Sequence, residues 1–422
     1  MTKLKPRRAG RAIPIAMVAC VLAAAPAAPR AATAPSLSSA GAQAIDALLH
    51  DKVAAGMPAI AVVVVNAQQQ LFLGAAGQRD GAAHAPLAAD AIFRIASMTK
   101  PITSLAAMML VEAGQLRLND PVSKYLPEFA TIRVLTAFND ADGTFESRPP
   151  ARPITIRHLL THTSGIAYNF VDARLAKIDN DQRTRTELPL LHDPGDRFTY
   201  GPSTAVLGSV IEKITGRPLD EFFKTRIFDP LGMVDTSYTV AADKHERVVT
   251  LHTRSDAGFT ERPNRPIIAG TVAGDGGLLS TAADYGRFMQ LFLSGGRAGS
   301  VRLVNESTIR QMMSNQIGRV VVEEQPSTEP ALAKPFPSGG GKDKFGFGFQ
   351  IEVAPAGHAE AGLRAPGSGS WGGIDNTHFW IDPRTGIGAA VLMQVLPYYD
   401  EAAIDVLRSV ERLVYQHLRA RS

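Results

Sequence analysis

Ser97-Met98-Thr99-Lys100 places a hydroxyl and an amine one helical turn apart at the start of an amphipathic helix. Residues three apart share a helix face, so the Lys100 amine can approach the Ser97 hydroxyl and activate it. Pro101 is tolerated only in a first turn, which places the helix start at about Ser97. The apolar positions that follow recur at the spacing of one buried helix face. They are Ile102, Leu105, Ala106, Met109, Leu110 and Ala113.

The first 34 residues have the composition of an export signal. Residues 1–34 contain six basic side chains and no acidic one, and an apolar run over 12–28 precedes Ala32-Thr33-Ala34. We therefore predict a cleaved signal and a periplasmic or secreted protein. Cys20, the single cysteine, lies in this segment. We interpret it as an apolar filler of the signal, with the lipid-carrying cysteine of a lipoprotein as the alternative.

Removing this segment changes the charge balance. The rest of the chain holds 38 basic and 40 acidic residues, a net charge of −2 against +4 for the whole sequence. That balance gives no support to nucleic-acid binding. The mature chain would also lack disulfide and thiol chemistry, because no cysteine remains. No later stretch is long and apolar enough to predict a membrane span.

Both ends of the chain contribute to one predicted antiparallel sheet, which makes the fold class α+β. A helix over about 38–53 precedes a strand pair that turns at 66–70. Near the C-terminus, further strands and a closing helix are expected. The predicted strands are 59–65, 71–76, 345–353, 377–382 and 386–395. The closing helix would pack on the sheet through Ala403, Leu407, Val410, Val414 and Leu418.

Short helices and Pro-rich loops between these halves predict an inserted, mostly helical lobe over 116–270. Its helical stretches are expected at 155–161, 203–215 and 219–226. The sheet region then consists of 35–115 and 271–422, flanked by terminal helices. The segment 323–344, rich in Pro and Gly, is predicted to be a long loop, either disordered or a mobile flank of a cleft.

Six stretches in one order resemble the serine β-lactamase superfamily, in particular its class C-like branch, which includes D-alanyl-D-alanine peptidases and family VIII carboxylesterases. The resemblance covers the chain after about residue 40. It implies a β-lactamase/transpeptidase-like fold and acyl transfer through a covalent serine, without metal or cofactor. The stretches are Phe93-Arg94-Ile95-Ala96-Ser97-Met98-Thr99-Lys100, His158-Leu159-Leu160-Thr161-His162-Thr163-Ser164-Gly165, Tyr200-Gly201-Pro202-Ser203, Pro230-Leu231-Gly232-Met233, Gly276-Gly277-Leu278-Leu279-Ser280-Thr281 and Trp371-Gly372-Gly373.

This resemblance implies a role for each of three side chains. Ser97 carries over as the nucleophile and Lys100 as its proton acceptor. Tyr200 matches a tyrosine whose phenolic oxygen shares base duty with the lysine. A phenol can act as a base only if nearby positive charge stabilises its phenolate, which Lys100 would supply. The backbone N–H groups of Ser97 and Ile374 are implied as the oxyanion hole.

Two positions depart from the lactamase pattern. Pro202 stands where the family has an asparagine, so the side-chain amide that holds a substrate amide is absent, while Pro202 itself is implied as a substrate-binding residue. Trp371 replaces the lysine that faces the substrate carboxylate of lactamases and peptidases. A carboxylate desolvated without a cation costs about 1 to 3 kcal/mol or more. Trp371-Gly372-Gly373 resembles the family VIII esterases and is implied as a substrate contact, although another alignment puts Ser368-Gly369-Ser370 at this motif.

The leading expectation is hydrolysis of a small ester through an acyl-serine intermediate. Within the superfamily, the alternatives are hydrolysis of β-lactams or D-alanyl peptides and acyl transfer to an alcohol or amine. The alternative of another class is a non-catalytic penicillin sensor or envelope scaffold. The joint presence of Ser97, Lys100 and Tyr200 speaks against that alternative.

Other kinds of site have little support. His158 and His162 are four residues apart and could share a helix face as metal ligands, but a His-Glu-x-x-His motif and an obvious third ligand are missing. We expect them to pack and form hydrogen bonds beside the cleft. The sequence also lacks a Gly-x-Ser-x-Gly elbow, a Walker loop and a dinucleotide fingerprint.

Overall fold

A computed structural model describes residues 1–3, 10, 34–81, 83–179, 183–262, 272–336, 339–353 and 363–419 of the chain. Residues Ala34–Arg421 form one compact unit. The predicted export signal lies almost wholly outside the described residues, and so does Cys20. The signal and its cleavage therefore stay predictions.

The centre of the fold is an eight-stranded antiparallel sheet with the spatial order β4-β5-β6-β7-β8-β1-β2-β3. Its strands are β1 (Ala59–Asn66), β2 (Gln70–Asp80), β3 (Ala85–Pro86), β4 (Lys344–Phe345), β5 (Gln350–Ile351), β6 (Gly369–Gly373), β7 (Thr377–Asp382) and β8 (Ile387–Leu392). The two ends of the chain meet where β8 pairs with β1. The α+β prediction and its two hairpins, β1–β2 and β7–β8, are confirmed.

Helices cover both faces of this sheet. They are α1 (Ser39–Ala54), α2 (Thr99–Glu112), α3 (Ile156–Leu160), α4 (Ala173–Ile178), α5 (Ser203–Thr215), α6 (Leu219–Phe223), α7 (Asp229–Leu231), α8 (Ala282–Leu293), α9 (Glu306–Met312) and α10 (Glu401–Gln416). On one face, α1 and α10 share a core with Ile60 and Val62 of β1. On the other, Gly286 of α8 allows close packing on Val63 and Val65. β1 is apolar from Ala59 to Val65 because both of its faces are covered.

The helix that follows Ser97 is more deeply buried than an amphipathic helix. A 3-10 turn at Ala96–Met98 leads into α2, and every residue from Thr99 to Leu110 is buried. The expectation of a single buried face was therefore too narrow. α5 packs along α2, and the apolar core on the α8 face of the sheet surrounds it. The buried hydroxyl of Thr103 has a hydrogen-bond partner inside this core, because it donates to the carbonyl of Gly274 at 2.6 Å.

The C-terminal helix and the strands before it differ in detail from the prediction. α10 buries Ala403, Val406, Val410 and Val414 against the sheet, whereas Leu407 is only partly buried. Residue 418 lies beyond the helix, in a two-residue strand that pairs with Ser36–Leu37. The predicted strand over 345–353 is divided into β4 and β5, which are separated by a turn.

The segment predicted as a helical lobe, 116–270, contains α3 to α7 and also two β-hairpins. One joins Val134–Phe138 to Phe145–Arg148, and the other joins Leu251–Ser255 to Gly258–Arg262. Residues 263–270 lie outside the described part, and the lobe boundaries stay a prediction. The helices within the described ranges are all too short or too polar to cross a membrane.

Candidate active site

A tight turn presents Ser97 at the end of a short strand. Phe93–Arg94 pairs with Leu279–Ser280, so two of the six stretches that carry the family resemblance are hydrogen-bonded neighbours. Ala96 then adopts φ +44°, a left-handed conformation that non-glycine residues rarely take. The turn aims the Ser97 hydroxyl away from the strand and into a cavity.

Lys100 is the buried cation of this site, with 1% of its surface exposed. Its Nζ donates hydrogen bonds to Ser97 Oγ at 2.9 Å, to Tyr168 OH at 3.0 Å and to the backbone carbonyl of Asp275 at 2.7 Å. An ammonium group has three N–H donors, so all of them are used. The structure thus brings Ser97 and Lys100 together as the sequence predicts, and two further residues fix the position of the amine.

Tyr200 reaches the same oxygen from the other side. Its OH donates to Ser97 Oγ at 2.6 Å, and its ring centroid lies 4.9 Å from Lys100 Nζ. Its backbone N–H donates to Gln325 Oε1 at 2.9 Å, which fixes the residue before α5. Ser97 Oγ therefore contacts both groups that the sequence analysis assigned as proton acceptors.

Tyr168 and Asp275 complete the hydrogen-bond network, and the sequence analysis missed both. Tyr168 OH donates to Asp275 Oδ2 at 2.6 Å while it accepts from Lys100. Burial raises the pKa of Tyr168 well above its ordinary value, so this phenol stays neutral. The sequence contained a signal for both residues, because each lies close to a stretch that carries the family resemblance. Tyr168 follows Gly165 by three residues, and Asp275 directly precedes Gly276.

A glycine brings the two tyrosines together. A Cβ on Gly201 would lie 2.2 Å from the carbonyl oxygen of Ile166, so only glycine allows the chain after Tyr200 to pack against the segment before Tyr168. The backbone N–H of Tyr168 donates to the carbonyl of Tyr200 at 3.4 Å, and the two rings lie 5.2 Å apart. Both rings consequently lie beside Lys100, which bonds the hydroxyl of Tyr168 and lies over the ring of Tyr200.

Strand β6 runs directly beside the nucleophile turn. A Cβ on Gly373 would lie 2.4 Å from the carbonyl oxygen of Ile95, so a larger residue would push β6 away. Ile374 follows Gly373 and lines the cavity that holds Ser97, as do Trp371 and Gly372. This placement favours the alignment on Trp371 over the one on Ser368-Gly369-Ser370. The role of the Ile374 N–H as an oxyanion donor stays a prediction.

Trp371 is part of an aromatic wall of the cavity. Its ring lies 5.2 Å from Tyr200, 5.4 Å from Phe345 and 6.3 Å from His162. Its indole N–H is buried and has no hydrogen-bond partner among the described residues. The wall offers a substrate an aromatic surface without a charged group.

The cavity above Ser97 has a volume of about 290 Å³. Leu332 and Phe336 of the predicted loop 323–344 form one flank, so this loop borders the cleft. The only charged side chain among the described lining residues is Asp275, and Pro202 does not line the cavity but precedes α5. The lining residues are Ala96, Ser97, Tyr168, Phe170, Tyr200, Asp275, Gly276, Gly277, Leu332, Phe336, Trp371, Gly372, Ile374 and Tyr398.

The two histidines weighed as metal ligands do not share a helix face. His158 lies in α3, where its Nδ1 accepts from the backbone N–H of Thr155, and burial lowers its pKa to about 4. His162 lies after the end of α3 with φ +53°. Its ring packs against Tyr200, and burial lowers its pKa well below the ordinary value. Within the described ranges, no group of three His, Cys, Asp or Glu side chains could hold a metal ion.

Comparisons with known proteins identify the family and several relatives of this chain. A family model described as Beta-lactamase matches residues 43–411. Lovastatin esterase of Penicillium rubens is 31% identical over 367 residues, covering 79% of this chain and 88% of the relative. Monacolin J acid methylbutanoyltransferase of Aspergillus terreus is 27% identical over 355 residues, covering 78% of this chain and 83% of the relative.

A solved structure gives the same result at the level of the fold. A mutant of simvastatin synthase (LovD) from Aspergillus terreus superposes with a TM-score of 0.77 at 26% identity, covering 89% of this chain and 98% of the other. The family-model match spans most of the chain, including Ser97, Lys100, Tyr200 and Trp371. The chain therefore belongs to the Beta-lactamase family.

Proposed function

We propose that this protein is a serine hydrolase that cleaves small carboxylic esters through an acyl-enzyme at Ser97. The observation that carries the proposal is the convergence of Lys100 Nζ and Tyr200 OH on Ser97 Oγ, at 2.9 and 2.6 Å, inside a cavity of about 290 Å³. A serine hydroxyl is a weak nucleophile without such help. The esterase and acyltransferase relatives support the same chemistry.

In the proposed reaction, Tyr200 acts as a phenolate, whose negative charge is stabilised by the ammonium of Lys100, which Tyr168 and Asp275 hold in place. As Ser97 Oγ bonds to the ester carbonyl carbon, the Tyr200 phenolate takes the serine proton and becomes a neutral phenol. The backbone N–H groups of Ser97 and Ile374 receive the developing oxyanion. Tyr200 then returns the proton to the leaving alcohol, and water releases the acyl group by the same steps in reverse.

The charge of the cavity favours esters over β-lactams and D-alanyl peptides. Those two substrates carry a carboxylate near the reacting carbonyl, and Trp371 faces that place without a cation. Asp275 would repel such a carboxylate, and Lys100 has no N–H left to receive it. An ester that is neutral near its carbonyl meets neither penalty.

A direct comparison of substrates tests this proposal. We would measure kcat/KM for a short-chain p-nitrophenyl ester and for a chromogenic cephalosporin on the same preparation, with the Ser97→Ala variant as the matched control. The expected result is a clear preference for the ester that disappears in the variant. A preference for the cephalosporin would reverse the assignment of substrate class.

Acyl transfer to an alcohol is a second candidate, favoured by the aromatic lining of the cavity. Tyr168, Phe170, Phe336, Trp371 and Tyr398 surround the acyl-serine position, so an apolar alcohol can compete with water there. The transferase relative supports this candidate. Product analysis of the ester reaction with added alcohol would separate the two, since a transferase forms the new ester in preference to the free acid.

We also propose that the protein works in the periplasm or outside the cell. The support is the basic and apolar composition of residues 1–34, and the lipoprotein route through Cys20 is the alternative. The intact mass of the protein recovered from its native host distinguishes a cleaved, a lipidated and a retained N-terminus. A retained N-terminus would contradict the proposal.

A further inference from the structure

A second cavity of about 600 Å³ lies next to the catalytic one. It is bounded by strands β5 to β7, by α10 and by the loop before β4. The two cavities share Phe336, Trp371, Gly372 and Tyr398 as lining residues. These four residues form a common wall between two adjoining cavities, and the far end of an ester that extends past this wall enters the second cavity.

The acidic side chains of the second cavity are already engaged. Glu411 binds Arg364 through two hydrogen bonds, of 2.7 and 3.0 Å, and Glu352 lies 3.2 Å from the same guanidinium. Asp343 accepts from the amide of Gln350 at 2.5 Å and from the backbone N–H of residue 353 at 3.0 Å. The negative charge of the lining is thus directed at groups of the protein itself.

Three basic side chains of this lining have no such partner. Lys342, Arg408 and Arg412 are exposed at the cavity and form no ion pair with the described part of the chain. Arg408 and Arg412 stand one turn apart on α10, so both guanidinium groups project from the same helix face. Burial also raises the pKa of Glu352 to about 7, which weakens its negative charge near neutral pH. The charge left for a ligand is positive.

A buried histidine adds an unused polar atom. His378 of β7 lines the second cavity, is 5% exposed, and its Nε2 has no hydrogen-bond partner among the described residues. Its ring stacks on Tyr398, with centroids 5.6 Å apart. A buried polar atom without a partner is costly, and a ligand that reaches it recovers that cost.

We propose that the second cavity binds a carboxylate at the far end of the ester that Ser97 attacks, with Arg408, Arg412 and Lys342 as its cationic partners. This inference rests on the proposed function. It also separates two places for negative charge. A carboxylate next to the reacting carbonyl meets Asp275 and no available cation, whereas a carboxylate beyond the common wall meets unpaired guanidinium groups.

The test compares esters that differ only in a terminal charge. One arm uses mono-p-nitrophenyl esters of straight-chain dicarboxylic acids of increasing length, each against the uncharged monocarboxylic ester of that length. The other arm carries the carboxylate on the alcohol part. We expect a preference in kcat/KM of about tenfold for the charged ester at one chain length in one arm, decreasing as salt is raised.

The variant Arg408→Gln/Arg412→Gln should lower this preference to about one, because two charge-assisted contacts are lost. The variant Arg117→Gln/Arg226→Gln removes two exposed charges that line neither cavity, and it should keep the preference. No preference in either arm, or a preference that survives the first variant, would overturn the proposal.

A binding measurement distinguishes failure of this inference from failure of the proposed esterase function. Calorimetric titration of the Ser97→Ala protein with the monomethyl ester of a saturated dicarboxylic acid and with the methyl ester of the monocarboxylic acid of equal length needs no turnover. Tighter binding of the charged ester, lost when Arg408→Gln/Arg412→Gln is added, supports the second cavity even if no ester is cleaved. Equal binding of the two esters, together with ester cleavage by the native sequence, contradicts the second cavity and leaves the esterase proposal standing.

Discussion

Tyr168 OH lies 3.0 Å from Lys100 Nζ and accepts one of the three hydrogen bonds that this ammonium donates. The same phenol donates a hydrogen bond to Asp275 Oδ2 at 2.6 Å, so Tyr168 links Lys100 to this carboxylate. Ser97 Oγ receives another of the Lys100 bonds. The position of the lysine beside the nucleophile thus depends on a tyrosine that is 68 residues away in sequence.

The variant Tyr168→Phe tests this dependence. It removes the oxygen that accepts from Lys100 and leaves the ring packed against Phe170. We expect kcat for a p-nitrophenyl ester to fall about 10- to 100-fold because the amine is less well positioned, with a smaller change in KM. Tyr125→Phe, which removes a phenol bound to Asp120 outside the lining of the cavity, is the matched control. Equal effects of the two variants on kcat would contradict the positioning role.

The approach of β6 to the nucleophile turn predicts a contrast between two glycines. In Gly373→Ala, the new Cβ would meet the carbonyl oxygen of Ile95 and the hydroxyl of Thr377, both at 2.4 Å. We expect a loss of about 1 to 3 kcal/mol in the free energy of unfolding, and a lower kcat because β6 moves away from Ser97. In Gly276→Ala, the nearest atom is the carbonyl oxygen of Ala96 at 4.0 Å.

Denaturant unfolding and ester kinetics on both alanine variants provide the measurement. Gly276 lines the same cavity, so Gly276→Ala controls for a methyl group added near the site. It should keep its stability and most of its kcat. A Gly373→Ala protein as stable and as active as Gly276→Ala would show that the close approach of β6 is not required.

The buried His162 predicts a pH dependence of stability. Its pKa in the folded protein is well below the ordinary value, because burial and the charge of Lys100 disfavour a second cation. Below about pH 6.5 the unfolded chain binds a proton at this residue and the folded chain does not, so stability is lost as the pH falls. In His162→Phe this contribution is absent.

Denaturant titrations of the native sequence and of His162→Phe, at about pH 7 and about pH 5, measure the contribution of His162 to the pH dependence of stability. The stability of His162→Phe relative to the native sequence should rise by about 2 kcal/mol at the lower pH. Because only the change between the two pH values is compared, the packing effect of the substitution cancels. An equal difference at both pH values would contradict the neutral state of His162 in the fold.

The sheet could be predicted well because its pattern is local. β1, β2, β7 and β8 each contain an apolar run near turn residues, and α10 has a clear apolar stripe. The prediction for α2 was less complete. Periodicity identifies its apolar face, but the covering of its other side by α5 is a contact between distant segments, which a local pattern does not contain.

In the candidate site too, contacts between neighbours in sequence could be predicted, whereas contacts between distant segments could not. Ser97 and Lys100 are three residues apart, so helix geometry alone predicts their contact. Tyr168 and Asp275 reach Lys100 across 68 and 175 residues. Tyr168 stands in an irregular segment without helix or strand periodicity, and its approach depends on the close packing at Gly201. The second cavity was equally inaccessible to prediction, since it exists only where α10 lies over β5 to β7.

Covalent labelling tests the central claim, the identity of the nucleophile, most directly. The protein and its Ser97→Ala variant are incubated with a fluorophosphonate probe, and their intact masses are measured. The account predicts a single adduct on the native sequence, located at Ser97, and none on the variant. Labelling of the Ser97→Ala variant to the same extent, or no labelling of the native sequence, would contradict it.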